Sequence, residues 1–207
     1  MFETRNMKPV EIETRSFEII TSLLGDRVLD PENEAVIKRV IHTTADFDYA
    51  ETLCFSEHAV ARGIESLRSG CDIVTDTQMA KAGINKTVLA RLGGNVRCFM
   101  SEPEVAEEAK ARGVTRAIVS MERAAAIEKP CIFAIGNAPT ALMALYGLIA
   151  EGKLSPALVI GVPVGFVNVV ESKDLIMTAR VPYIVARGRK GGSSVAAAIC
   201  NAMLYQI

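Results

Sequence analysis

The sequence has 207 residues, 50% of them hydrophobic, with a mean hydropathy of +0.26 and a formal net charge of -1. This length predicts one domain over residues 1–207, and the apolar composition predicts a sheet covered on both faces, an apolar subunit interface, or both. A nearly neutral chain with 7 Phe, 4 Tyr and no Trp lacks the charge and the stacking surface of nucleic-acid-binding proteins, so we expect no nucleic-acid partner.

The cysteines and the N-terminal segment predict the compartment. Five cysteines, without a CxxC pair or a histidine at a metal-ligand spacing, are typical of reduced thiols in a cytoplasmic protein, so we expect no metal site. The N-terminal stretch MFETRNMKPVEIETRS is charged throughout, so we expect no signal peptide and a cytoplasmic location.

The first third of the chain predicts helices. Helical spacing of apolar residues runs through EIETRSFEIITSLLG, DPENEAVIKRVIHTT and EHAVARGIESLRSG. In the second segment Asp30 suits the N-cap and Pro31 the first helical position, while the apolar residues from Val36 to Ile41 form one face. Since no Gly/Ser-rich linker follows, we expect an N-terminal helical layer on the same domain.

From residue 72 onwards, short apolar runs alternate with helical segments. The runs are DIVT (72–75), VRCFM (96–100), CIFAI (131–135), ALVIG (157–161) and PYIVA (182–186). This alternation predicts parallel βαβ units, and hence an α/β fold with an open, mainly parallel five-stranded sheet and helices on both faces.

One uncharged segment, CIFAIGNAPTALMALYGLIA at residues 131–150, is as long as a membrane span. The sequence Gly-Asn-Ala-Pro at residues 136–139 favours instead a strand, a turn and a helix that begins with proline. We therefore expect no membrane partner.

Three glycine-containing loops follow predicted strands: IGNAPTAL (135–142), IGVPVGFVNVVESKDL (160–175) and ARGRKGGSSVA (186–196). In an open parallel sheet such loops meet outside the carboxyl ends of the strands, where helix N-termini attract anions. The cations of the third loop strengthen the prediction of a site for an acidic ligand, although a turn with a solvated basic edge is the alternative. The apolar part of the second loop fits either a ligand face or a loop buried against a partner subunit.

His42, one of two histidines, ends an apolar helical stretch. It lies about 100° round the helix from the preceding residue and near the C-terminus, where the helix dipole stabilises imidazolium. A lone histidine in such a place is ordinarily a helix cap, and we assign that role to His58. For His42, the polar residues at 43–48 and Arg39 one turn earlier favour a proton donor.

Five segments occur in a fixed order along nearly the whole chain: HTTADFDYA (42–50), DIVTDTQMAKAGI (72–84), GNAPTAL (136–142), GVPVGFVNVVESK (161–173) and GRKGGSSVA (188–196). Together they resemble the precorrin-8X methylmutase family of cobalamin biosynthesis, also called cobalt-precorrin-8 methylmutase or precorrin isomerase. The resemblance implies a homodimer with active sites at the subunit interface. It also implies an isomerase, without a cofactor, that moves a methyl group from C-11 to C-12 of the corrin ring.

The substrate that the resemblance implies is precorrin-8X or cobalt-precorrin-8, and the product is hydrogenobyrinic acid or cobyrinic acid. The resemblance makes His42 catalytic and Ser16 and Arg39 substrate contacts. Since the methyl shift is intramolecular, no covalent nucleophile is needed, and we expect protonated His42 to donate a proton or hydrogen bond to the ring. Thr43 and Asp46 would orient the imidazole.

Such a substrate carries carboxylates around an apolar ring, so it needs cations and amides at its rim and an apolar floor. Ser16, Arg39 and Thr43 are three of the predicted substrate-binding residues. The others lie in the three loops: Asn137, Thr140, Gly161, Val164, Gly165, Phe166, Ser172, Lys173, Arg187, Arg189, Lys190, Gly191, Gly192 and Ser193.

Two other functions stay open. The first is a non-catalytic tetrapyrrole-binding carrier, and the second is an enzyme for a phosphorylated or nucleotide substrate on the same type of sheet. Neither GxxxxGK[ST] nor a GxGxxG after a strand is present, so only the fold supports the second.

Overall fold

The computed structural model describes residues 8–207. Residues 1–7, which begin the segment predicted not to be a signal peptide, lie outside the described residues. The described residues form six strands in one sheet and eleven helices. The strands are β1 (Leu53–Phe55), β2 (Asp72–Thr75), β3 (Val96–Arg97), β4 (Cys131–Ile135), β5 (Leu158–Gly161) and β6 (Tyr183–Ala186). The helices are α1 (Pro9–Leu24), α2 (Glu34–Thr44), α3 (Tyr49–Thr52), α4 (Ala59–Arg68), α5 (Gln78–Gly83), α6 (Lys86–Arg91), α7 (Pro103–Arg112), α8 (Arg116–Ala125), α9 (Pro139–Ala150), α10 (Val169–Met177) and α11 (Ser193–Leu204).

The sheet has the strand order β1-β6-β5-β4-β2-β3, and all neighbours except β1 and β6 are parallel. This confirms the predicted α/β fold with a mainly parallel sheet, but the predicted number of five strands is wrong. The sixth strand, β1, pairs antiparallel with β6, with Leu53 opposite Ala186. A three-residue strand is too short to show a period of two, so its existence depends on this pairing at the edge of the sheet. Strand β3 is also shorter than its predicted range of 96–100.

Helices cover both faces of the sheet, as the uninterrupted apolar runs predicted. On one face, Ile132 and Ile160 pack with side chains of α2, α4, α5 and α11. On the other face, Phe133 and Val159 pack with α8, α9 and α10. The edge at the carboxyl ends of the strands is therefore where loops can gather.

The N-terminal layer consists of α1 packed on α2. Helix α2 begins at Glu34 and not near Asp30, so the predicted N-cap is wrong. Residues 31–33 form a turn instead, in which the Asp30 carboxylate accepts the Glu32 N–H at 3.0 Å and the Asn33 side chain at 2.9 Å. The predicted apolar face of α2 is confirmed, since Val36, Ile37, Val40 and Ile41 are all buried.

The uncharged segment at residues 131–150 forms β4 and α9, with Pro139 as the first helical residue, as predicted. None of the helices within residues 8–207 combines the length and the apolar character that crossing a membrane requires.

A buried carboxylate fixes the amino end of β2. Asp72 accepts hydrogen bonds from Arg97 Nε at 2.6 Å, the Asn95 N–H at 2.9 Å and Lys129 Nζ at 3.1 Å. Burial acts to raise the pKa of Asp72, but these hydrogen bonds together outweigh it and hold the pKa below its ordinary value of 3.8. The ionised carboxylate therefore stabilises the fold above that ordinary value, and this contribution is lost as the pH falls through the folded-state pKa.

We expect Asp72→Asn to lower the free energy of unfolding by about 1–3 kcal/mol at neutral pH, because the buried side chain exchanges one accepting oxygen for an NH₂ group that faces hydrogen-bond donors. The difference from the unmodified protein should shrink in the acid range, where the carboxylate protonates. Urea unfolding across this pH range measures both effects. Asp26→Asn, at an exposed position, is the control and should change the free energy by less than about 0.5 kcal/mol. Equal losses in the two variants would contradict the prediction.

Candidate active site

The three glycine-containing loops meet at the carboxyl edge of the sheet, as predicted. A Cβ atom on Gly136 would lie 2.7 Å from Ser193 Cα, so the first loop touches the start of α11. A Cβ atom on Gly191 would overlap the Val162 carbonyl oxygen, and the Gly192 N–H donates to that same oxygen at 2.8 Å. Only glycine permits these close backbone approaches.

The first loop differs from the predicted anion site. The N–H groups of Gly136, Asn137 and Ala138 donate to the carboxylate of Asp76 at 2.8, 2.8 and 2.6 Å. The protein's own carboxylate therefore occupies the amides that precede α9. What this loop presents to solvent is the side chain of Asn137, which is an exposed residue.

Two other predicted contacts at this edge have partners within the chain. Thr140 accepts a hydrogen bond from the Thr115 hydroxyl at 3.1 Å and so lies beside the start of α8. The Ser193 hydroxyl is 2.7 Å from the hydroxyl of Thr77. Both residues are partly buried, whereas Asn137 is exposed.

Lys190 connects the third loop to the segment that follows α2. Its ammonium group donates to Asp46 Oδ2 and Asp48 Oδ2, both at 2.6 Å. The hydrogen bond from Lys190 is the main cause that lowers the pKa of Asp46, and the two carboxylates raise the pKa of Lys190. Lys190 is therefore already paired.

The two arginines of the third loop differ in their surroundings. The Arg189 guanidinium lies 5.5 Å from the centroid of the Phe166 ring and donates to the Phe166 carbonyl oxygen at 2.9 Å. Arg187 is exposed; its backbone N–H donates to the Thr52 carbonyl oxygen at 2.8 Å, and its guanidinium has no hydrogen-bond partner within residues 8–207. Arg187 is thus the cation of this loop that is best placed to meet a ligand carboxylate.

Three residues predicted to bind the substrate have buried positions. Lys173 donates to the carbonyl oxygens of Gly188 and Lys190 at 2.8 and 2.9 Å, and burial lowers its pKa to about 8. The Ser172 hydroxyl donates at 3.0 Å to a carbonyl of its own helix, and Gly161 is a buried residue at the end of β5. These three residues are therefore buried beneath the second and third loops, where they stabilise the loops.

The apolar part of the second loop is exposed within the subunit. Val164, Phe166 and Val167 have exposed fractions of 48%, 81% and 78%. Gly165 lies between them with a φ of 143°, and its N–H donates to the Arg189 carbonyl oxygen at 3.2 Å. The loop therefore presents apolar side chains to a ligand or to a partner subunit, and both predicted alternatives fit this exposure.

His42 lies in the last turn of α2 and faces a cleft between α1 and α2. Its Nδ1 is 2.8 Å from Ser16 Oγ, and its ring stacks on Phe17 with centroids 5.2 Å apart and an interplanar angle of 17°. The cleft has a volume of about 670 Å³. Its lining is mainly apolar: Ile12, Arg15, Ser16, Ile19, Ile20, Leu23, Ile41, His42, Ala45 and Phe47.

The imidazole is oriented by Ser16 and Phe17, and not by the two residues predicted for that role. Thr43 donates its hydroxyl to the Arg39 carbonyl oxygen at 2.9 Å, as a threonine in a helix commonly does. Asp46 accepts from Lys190, as described above. Sequence spacing alone favoured neighbours along the chain over a residue 26 positions away on α1.

Arg39 fastens α1 to α2. Its guanidinium pairs with Glu13 and lies 4.8 Å from the ring centroid of Phe17 and 5.0 Å from that of Tyr205. The predicted substrate contact is thus on the same side of α2 as His42, but an internal carboxylate already pairs with its charge.

His58 occupies the N-cap position of α4, with a φ of 54°. Its side chain makes no capping hydrogen bond, since the imidazole contacts Glu32 at 3.1 Å, so the helix-cap role predicted for it is wrong.

The cleft and the carboxyl edge adjoin, because Asp46 follows the His42 helix and binds Lys190 of the third loop. In this arrangement one imidazole nitrogen is held by a serine hydroxyl, so the other can exchange a proton with a ligand in the cleft. Within residues 8–207, His, Cys, Asp and Glu side chains form no group of three or more that could hold a metal ion.

Sequence reasoning did not identify Phe17 or Asp76. The available signal for Asp76 was its place directly after a buried strand within DIVTDTQ, where a carboxylate at the carboxyl edge can meet helix N-termini. Phe17 gave no signal, because a lone aromatic residue in an amphipathic helix fits any packing role.

The chain is similar to proteins of known family. Residues 11–206 match the family model described as precorrin-8X methylmutase. The chain is 46% identical to the cobalt-precorrin-8 methylmutase of Salmonella typhimurium, covering 97% of this chain and 96% of the relative. It is 45% identical to the cobalt-precorrin-8 methylmutase of Priestia megaterium, covering 98% and 90%.

A solved structure of a precorrin-8X methylmutase from Thermus thermophilus superimposes with a TM-score of 0.85 at 39% identity, covering 94% of this chain and 96% of that one. The full-length family match, the identities and the shared fold lead to one conclusion: the chain belongs to the precorrin-8X methylmutase family.

Proposed function

We propose that this chain is the isomerase that moves a methyl group from C-11 to C-12 of the corrin ring in cobalamin biosynthesis. Its substrate is precorrin-8X or cobalt-precorrin-8, and its product is hydrogenobyrinic acid or cobyrinic acid. The two relatives named above are cobalt-precorrin-8 methylmutases, which favours the substrate that carries cobalt. We expect the enzyme to act in the cytoplasm.

The observation that carries this proposal is the imidazole of His42, held by Ser16 at the wall of an apolar cleft of about 670 Å³. The apolar lining suits the face of a macrocycle, because the transfer of apolar surface from water into the cleft is favourable. The adjoining edge, with Arg187 and Arg189, suits the carboxylates at the rim of the ring.

His42 acts as the proton donor of this reaction. Nδ1 is engaged with Ser16 in either protonation state, which leaves Nε2 to meet the macrocycle close to the migrating methyl group. Because the methyl shift is intramolecular, the protein has to hold one ring conformation and stabilise the rearranging π-system, and it needs no covalent intermediate.

Replacing His42 tests the role directly. We expect His42→Ala to lower turnover by about 10²–10⁴-fold, because general acid help of that size is lost. Affinity for hydrogenobyrinic acid should stay within a few-fold. Turnover is followed by the visible spectrum with both substrates, and affinity by absorption titration. His58→Ala, which removes the other histidine, is the control and should keep normal turnover.

Activity of His42→Ala within a few-fold of the unmodified enzyme would rule out the proton-donor role. If the unmodified protein binds the product in a coloured stoichiometric complex but converts neither substrate, the chain is a carrier and the isomerase proposal is wrong.

The carboxylate contacts are tested at Arg187. We expect Arg187→Gln to weaken product binding about 1.5- to fivefold, because an exposed ion pair contributes about 0.2–1 kcal/mol. It should also flatten the dependence of affinity on salt concentration. Arg68→Gln removes the same charge at the end of α4 and serves as the control. Parallel salt series in the two variants would remove Arg187 from the site.

A homodimer explains the exposed apolar side of α1. Ile12, Ile19 and Leu23 have exposed fractions of 44%, 45% and 66%, and they line the same cleft as His42. Their spacing places them along one side of the helix. A second copy of the chain seated on this side would bury them and would close the cleft around the substrate, in agreement with active sites at the interface.

We expect Leu23→Glu to convert dimers to monomers and to lower turnover, because a charge replaces an apolar contact of about 1.5–3 kcal/mol. Light scattering after size-exclusion chromatography measures the mass. Met143→Glu, on α9 and so beyond the opposite face of the sheet, should leave the dimer intact. Dissociation by Met143→Glu alone would move the interface to the other face.

A further inference from the structure

A buried carboxylate that the proton-donor mechanism does not use lies directly behind the glycine-containing loops. Asp76 follows β2 and has an exposed fraction of 1%. Its Oδ1 accepts the Gly136 N–H, and its Oδ2 accepts the Asn137 and Ala138 N–H groups, at 2.8, 2.8 and 2.6 Å. Three consecutive amides before α9 thus depend on one side chain.

These bonds fix the backbone from which Asn137 projects. A buried carboxylate is costly unless each oxygen is hydrogen-bonded, so the loop cannot move without leaving that charge unpaired. Burial raises the pKa of Asp76, and the three amide donors oppose that rise. The backbone position of Asn137, and hence the point from which its side chain extends, is therefore fixed at the carboxyl edge.

The next residue extends this control to α11. The Thr77 hydroxyl is 2.7 Å from the Ser193 hydroxyl and also accepts the Ala80 N–H at 3.0 Å. Gly136 packs against Ser193, where an added Cβ atom would lie 2.7 Å from Ser193 Cα. Asp76 and Thr77 thus set the positions of two neighbouring polar elements, the loop with Asn137 and the start of α11.

We propose that Asp76 is a positioning residue for the substrate, which sets the spacing between the Asn137 loop and the N-terminus of α11 to fit the polar rim of the ring. This inference rests on the proposed function. Asp76 itself does not touch the substrate, because it is buried behind the amides that it holds.

Strand β2 supplies a matched control. Asp72 begins the strand and Asp76 follows its end, and both carboxylates are buried and accept three hydrogen bonds. Asp72 stabilises the amino end of the sheet, away from the site. A purely structural role for Asp76 predicts that the two asparagine variants behave alike.

The experiment compares Asp76→Asn, Asp76→Ala and Asp72→Asn in affinity for hydrogenobyrinic acid, kcat, KM and amide hydrogen exchange. We expect Asp76→Asn to weaken product binding about tenfold, because the amide NH₂ faces N–H donors and one accepting oxygen is lost. In Asp76→Asn, KM should rise by a larger factor than kcat falls. Asp76→Ala should bind the product more weakly than Asp76→Asn does. In both variants amide hydrogen exchange should become faster at residues 136–138. Asp72→Asn should lose stability and keep its affinity within about twofold.

If the Asp76 variants do not fold, the variants Thr77→Val and Thr77→Ser still test the inference. Thr77→Val removes the hydroxyl that meets Ser193, and we expect several-fold weaker product binding, whereas Thr77→Ser keeps a hydroxyl and should restore it. Unchanged affinity in Thr77→Val, or equal affinities in Asp76→Asn and Asp72→Asn, would overturn this inference. If the unmodified protein does not bind hydrogenobyrinic acid, the proposed function itself is overturned.

Discussion

A parallel sheet covered on both faces sends its polar loops to the edge where its strands end, and this constraint organises the molecule. Strands β2, β4, β5 and β6 all deliver loops to that edge. The backbone of such loops needs internal partners, because helices already occupy the space above and below. Asp76 and Lys173 supply them, one as an acceptor for amides and the other as a donor to carbonyls.

The same constraint explains why so few of the predicted cations remain for a ligand. Lys173, Lys190 and Arg39 each have partners inside the chain, the carbonyls of the third loop, Asp46 with Asp48, and Glu13. Because these cations are already paired within the chain, the basic residues of the sequence overstate the positive charge that a substrate meets. Specificity for a ligand with several carboxylates then depends on the positions of the remaining cations and amides.

The predictable part of the structure is the part set by local patterns. The long apolar runs, the proline that begins α9 and the glycine-containing loops identified the sheet and the edge at which its loops meet. Strand β1 was not predictable, because Leu53 pairs with Ala186, which is 133 positions away in the sequence. The pairing of Lys190 with Asp46 was not predictable either, because 144 positions separate the two residues. The partner of His42 was missed for the same reason. Spacing selected Thr43, while packing of α1 on α2 brought Ser16 to the imidazole.

In the enzyme and the dimer that we propose, helix α1 links catalysis to assembly. It contributes Ser16 and Phe17 to the imidazole, yet its buried apolar residues are only Ile20 and Leu24. A helix with so small a buried face lies at the low end of local stability. In the proposed dimer a second subunit would cover its exposed side and hold Ser16 against His42. The orientation of the proton donor would then depend on association, so a monomer would lose turnover even with every residue of its own site intact.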